Sequence, residues 1–241
     1  GRATGVVTAV QISHATPAGF VAHSEGRSAY AAIAAQMINE SAVDVIMGAG
    51  HPEFDDNGQP VAAERRKYDF VGGEEIWAAL RAGTVGGDAN GDGTPDPWTL
   101  IESVEDFRAS AEGATPPRVL GVAQVAQTLQ QARDTDPASK DDEKAPAFTI
   151  PFITTVPTLA EMTRAALNVL DDDPDGLVLM VEGGAVDWAA HANQAGRVIE
   201  EQIDFNRAVE AVVEWVETHG GWEQTLLIVT ADHETGYLTG P

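Results

Sequence analysis

Apolar residues follow two rhythms along this chain. Short runs rich in β-branched residues at 5–10, 43–47, 118–121, 177–181 and 226–230 predict strands. A strand buried on both faces is apolar at successive positions, so such runs suit a parallel sheet. Between them, 29–40 reads as an Ala-rich helix and 158–170 as another, with Leu159, Met162, Ala166 and Leu167 or Leu170 sharing one face. The longest helix is predicted over 194–218, its buried stripe formed by Ile199, Ile203, Val209, Val212 and Val216, and Gly220-Gly221 closes it. Strand and helix therefore alternate, and the fold class is α/β: a mostly parallel sheet with helices on both faces.

The middle breaks this rhythm. Residues 51–147 are rich in Gly, Pro and Asp and predict modest helices at 74–81 and 122–132, with only 118–121 rejoining the sheet. We read 1–241 as one partial α/β domain and 51–147 as an irregular insertion within it. Its last part, 134–147, is a charged, Pro-containing connector, and Ser13-His14-Ala15-Thr16-Pro17 reads as a loop after the first strand.

Composition narrows the possible partners. Asp and Glu number 38 against 14 Lys and Arg, a formal charge of −24. That surface repels nucleic acid and anionic membranes. No apolar run reaches the roughly 20 residues of a membrane helix. Ordinary acidic composition and adaptation to a salt-rich (halophilic) setting both account for the charge. There are no cysteines, so zinc here must be held by His and carboxylate. The start, Gly-Arg-Ala-Thr-Gly-Val-Val, has no initiator Met and no signal-peptide pattern, and reads as a chain cut from something larger.

Chemistry concentrates where predicted strands end. Glu182, Asp187 and His191 follow one run, and Asp232 and His233 follow the other. Asp187 and His191, four apart, face one way on a helical turn. Gly183 and Gly184 let the backbone bend between Glu182 and Asp187. Carboxylates and imidazoles at the ends of parallel strands are suited to divalent metals. Upstream, Thr16 offers a hydroxyl to a hard ion, and Arg27 can clamp a phosphate in bidentate fashion. In the insertion, Asp88, Asn90, Asp92 and Asp96, with Gly93 at the sixth position, follow a calcium-loop spacing. Position 12 of that loop is Thr99 rather than an acid, and an acidic surface turn is the competing reading.

These residues together carry a resemblance to the alkaline phosphatase family. The matching segments are His14-Ala15-Thr16-Pro17-Ala18-Gly19, His23 through Arg27, Val181-Glu182-Gly183-Gly184-Ala185-Val186-Asp187, His191-Ala192-Asn193, and Thr230-Ala231-Asp232-His233-Glu234-Thr235-Gly236. The resemblance implies a three-layer core, two zinc ions and one magnesium ion, and phosphomonoester hydrolysis through a phosphoserine. It implies that Asp187 and His191 bind the first zinc, Asp232 and His233 the second, and Glu182 and Thr16 the magnesium, with Arg27 on the phosphate. His14 and Trp188 stand beside these sites, in a pairing that resembles one branch of the family. It further implies a periplasmic or secreted homodimer. The family's serine nucleophile and a bridging Asp fall upstream of Gly1 and a further zinc-binding His downstream of Pro241, so the 241-residue chain alone is expected to be inactive. A related phosphodiesterase, sulfatase or phosphomutase, and a non-catalytic metal-binding protein, are the alternatives.

Overall fold

The computed structural model describes residues 1–135 and 144–235. Five parallel strands form one sheet in the order β3-β4-β2-β1-β5. They are β1 (Ala3–Gln11), β2 (Val45–Ala49), β3 (Thr99–Ile101), β4 (Val119–Val122) and β5 (Leu177–Glu182). The helices are α1 (Ala15–Val21), α2 (Tyr30–Asn39), α3 (Glu74–Arg81), α4 (Val104–Ser110), α5 (Leu159–Leu170), α6 (Ala185–His191) and α7 (Ala195–Thr218). Among the described residues no helix is long and apolar enough to cross a membrane.

The unbroken apolar runs of β1 and β2 follow from cover on both faces. Val6, Ile46 and Leu120 point into one core with Ile33, Met37, Trp77 and Leu80 of α2 and α3. Val7, Met47 and Val119 point into the other with Phe107, Leu159, Met162 and Ala208 of α4, α5 and α7. A Cβ on Gly121 would lie 2.6 Å from the Phe107 ring, so glycine is what lets α4 approach the sheet. Helices α4 and α5 start on complete capping boxes, Ser103 with Asp106 and Thr158 with Glu161.

Four sequence expectations differ from the structure. Residues 122–132 are not helical: Val122 belongs to β4, and the following turns bond elsewhere, Leu129 N to Ala9 O and Ala126 N to Asp55 O. Buried Val125 and Leu129, four apart, imitate a helical face. The Ser13–Pro17 loop is instead the start of α1, with His14 as N-cap and Pro17 in the first turn, where its missing N–H costs nothing. On α7 the buried positions include Arg197, Glu200, Glu201, Ala208, Ala211 and Val216, while Ile199 is 49% exposed. Its first two turns bury charge rather than apolar surface, and Phe205 is the first of its side chains to pack on the apolar core. In those turns the Glu200 carboxylate accepts bonds from Arg133 at 2.8 Å, Arg197 at 3.0 Å and the Phe148 N–H at 2.6 Å.

The fourth is the run at 226–230. It forms no ladder with β5, and Leu226 and Ile228 are 82% and 71% exposed. It passes over a groove of about 800 Å³ between β5 and α7. Strand preference is a preference for a pleated, half-covered surface, and here the ladder that would supply one is not made. The 51–147 stretch, read as an insertion, contributes β3 and β4 to the sheet and packs α4 on α5.

Candidate functional site

The order of the strands locates the site. From β1 the chain crosses through α1 and α2 to β2 on one side, whereas α5, on the opposite face, leads into β5 on the other side. The crevice outside the carboxyl ends of β1 and β5 is therefore a topological switch point, where open α/β sheets bind ligands. A cleft of about 720 Å³ opens there. It is lined by His14, Thr16 and Arg27 from the β1 side, Glu182, Asp187, Trp188 and His191 from the β5 side, and Asp232 and His233. A larger cavity of about 930 Å³ lies at the other end of the strands, around Arg2, Asp44 and Arg118.

Glu182 is the last residue of β5. Burial pushes its carboxyl up, opposed by hydrogen bonds from Thr16 and Thr8, while the charges of Asp232 and Asp187 push the same way as burial. Gly184 follows it closely: a Cβ there would stand 3.0 Å from Glu182 Oε2. Helix α6 begins at once and presents Asp187 and His191 on one turn, with His191 Nε2 3.5 Å from Asp187 Oδ1.

His233 Nε2 approaches from the third segment, 4.0 Å from the same Asp187 Oδ1 and 3.5 Å from Asp232 Oδ2. Its Nδ1 lies 2.7 Å from the Glu234 carbonyl oxygen, which can only accept. The proton therefore sits on Nδ1, and Nε2 faces the carboxylates with its lone pair open in the neutral ring. That carbonyl and the neighbouring carboxylates push the His233 pKa up. Thr235 donates to Asp187 Oδ1 at 2.5 Å. Asp232 is 84% exposed, held by neither strand nor helix.

His14 sits between two rings, 5.0 Å from Trp188 edge-on and 6.0 Å from Tyr30 in a stack. Burial, then the Arg27 charge, lowers its pKa against the pull of Asp187. Arg27 has no hydrogen bond or ion pair with any described residue, so its guanidinium is available to an anion.

The donors fit a borderline or hard divalent cation in kind: imidazole nitrogen, carboxylate and a hydroxyl, with no thiolate. They converge two at a time around Asp187 Oδ1, and no group of three or more His, Asp and Glu closes to metal-holding geometry among the described residues. The calcium-loop residues lie apart from the cleft, on the 88–96 turn. There Asp88 accepts from the N–H groups of Gly91, Asp92 and Gly93, and Asp96 from those of Ala89 and Asn90. These oxygens are engaged by the loop's own backbone.

Sequence reasoning overlooked Gln127 and Gln131, which line the cleft from the turns mistaken for a helix, and Thr8, buried in β1. Nothing in the sequence marks them, because their importance comes from strand register and a loop path.

Four similarities bear on this arrangement. A family model described as alkaline phosphatase matches residues 1–241. Alkaline phosphatase 3 of Bacillus subtilis is 27% identical over 98% of this chain and 41% of its own length. The crystal structure of the Thermus thermophilus alkaline phosphatase superposes with a TM-score of 0.61 at 26% identity, over 90% of this chain and 37% of that one. A cold-active alkaline phosphatase from a psychrophilic Shewanella gives 0.58 at 28%, over 90% and 41%. The chain thus spans about two fifths of the length of these relatives.

Proposed function

The chain belongs to the alkaline phosphatase family, and from that premise we propose that the whole protein hydrolyses phosphomonoesters, the phosphoryl group passing through a serine ester. The observation that carries this reading is the gathering, at one switch-point cleft, of carboxylates, imidazoles and an unengaged guanidinium from three separate segments. Asp187 and His191 would hold a first zinc ion, Asp232 and His233 a second, and Glu182 and Thr16 a magnesium ion. Bound there, these cations supply Lewis-acid charge to the phosphate oxygens and acidify bound water.

The chain's own residues do the positioning. Arg27 grips phosphate oxygens through two parallel N–H donors, which a lysine cannot do. The Glu234 carbonyl turns the His233 ring so that Nε2 faces the cleft. Local positive charge is needed because a formal charge of −24 opposes the approach of a dianion. Among the described residues lining the cleft, Thr16 carries the one hydroxyl, and it bonds to Glu182. Family membership also supports an exported homodimer, to be checked by cell fractionation and by sedimentation of the full-length protein.

The test is turnover of p-nitrophenyl phosphate by the full-length protein loaded with zinc and magnesium. Activity should vanish on chelation, return with the metals, and fall by orders of magnitude in Asp187→Asn with loss of bound zinc. Preference for a phosphodiester or sulfate ester, or monoester turnover indifferent to chelation, would overturn the reading.

A further inference from the structure

Thr8 is fully buried within β1 and does not line the cleft. In the parallel ladder it is the register partner of Glu182, so both side chains leave the sheet on one face. Its hydroxyl lies 2.6 Å from Glu182 Oε2 and 3.2 Å from the Val10 N–H. A backbone N–H can only donate, so it takes a lone pair of Thr8 Oγ1 and directs the hydroxyl proton to the carboxylate. The rotamer is held from behind as well. The Thr8 methyl packs on Gly48 of β2, where an added Cβ would come within 2.8 Å of it, and a β-branched side chain has few χ1 alternatives.

We propose that Thr8 is a positioning residue for Glu182: it pins Oε2 from inside the sheet so that Oε1 is presented to the cleft. Thr16 also bonds to this carboxylate, but from α1 and from within the cleft, where it can move to a cation. Thr8 cannot reach the cleft and acts only through Glu182. Partners that orient a ligating carboxylate matter nearly as much as the ligand, and losing one costs about 10- to 100-fold in metal affinity. The inference rests on the reading of Glu182 as a magnesium ligand.

The experiment is calorimetric titration of magnesium into full-length protein freed of metal, with Thr8→Val, Thr8→Ser and Glu182→Gln beside the wild type. Valine keeps the volume and the branch and removes only the hydroxyl, so affinity should fall at least about 10-fold. Serine keeps the hydroxyl and should bind close to wild type. With a phosphomonoester, Thr8→Val should lower kcat at limiting magnesium, recover at saturating magnesium, and leave KM unchanged. Melting of the metal-free proteins monitors folding; should Thr8→Val fail to fold, Thr8→Cys, which has the shape of serine but only a weak donor, should show the same loss where Thr8→Ser does not. Wild-type affinity in Thr8→Val, or equal loss in Thr8→Ser, overturns the inference. If Glu182→Gln also binds magnesium normally, the ligand reading falls with it; if Glu182→Gln alone loses affinity, only the role of Thr8 falls.

Discussion

Glu201 should make helix α7 less stable as pH rises, and Glu201→Gln should remove that dependence. The carboxyl is 4% exposed on α7, and its Oε1 has no hydrogen-bond partner among the described residues. Burial, then the charge of Asp204, raises its pKa from an ordinary 4.5 to about 8, against the pull of Arg133 and Arg197. The opened state releases this proton above 4.5, whereas the native state keeps it up to about 8. Between those values the opened state binds fewer protons, so native stability falls as pH rises. The effect is absent below 4.5 and complete above about 8. From the two pKa values the loss is about 1 kcal/mol at pH 5 and about 4 kcal/mol at pH 8. Glutamine has the shape of the protonated acid and never ionises. Native-state hydrogen exchange of the α7 amides in full-length wild type and Glu201→Gln, corrected for intrinsic rates, reads the difference directly. Protection in the variant relative to wild type should grow by roughly several hundred-fold from pH 5 to pH 8. A ratio that stays constant over this range would refute the reasoning.

Two further expectations concern charge elsewhere. Glu200→Gln leaves Arg133 and Arg197 buried without their shared carboxylate. It should cost roughly 3–5 kcal/mol in thermal unfolding, with protection lost first around Phe148, whose N–H bonds to Glu200. Arg27→Lys should keep the charge but lose the two-pronged grip, so inorganic phosphate should inhibit the full-length enzyme about 10-fold more weakly, with zinc content unchanged.

Much of this molecule is legible in its residues. The apolar runs of β1 and β2 mark buried strands because the sheet is covered there on both faces, and cover on both faces removes the polar alternation. The run of β5 is equally legible as a strand but lies at the sheet edge, partly covered, with Val178 57% exposed. The α5 helix is legible twice, from its apolar face and from the Thr158–Glu161 box. The errors share a cause. Val125 and Leu129 share helical spacing and burial but bond to β1 and the 50–55 loop, and 226–230 has strand residues without a ladder.

The cleft residues were likewise nameable one by one. Spacing places Asp187 and His191 on one helical turn, and residue chemistry makes them, with Glu182, Asp232 and His233, suited to a divalent cation. Those properties are local, and local patterns carry them. Which of the segments meet was settled by the order β3-β4-β2-β1-β5, which sets β1 beside β5 though they are far apart in the chain. The same long-range register puts Thr8 against Glu182, 174 residues away, and turns a strand threonine into a support for the site. Contacts at such separation depend on how layers pack and strands align, and no window of neighbouring residues contains them.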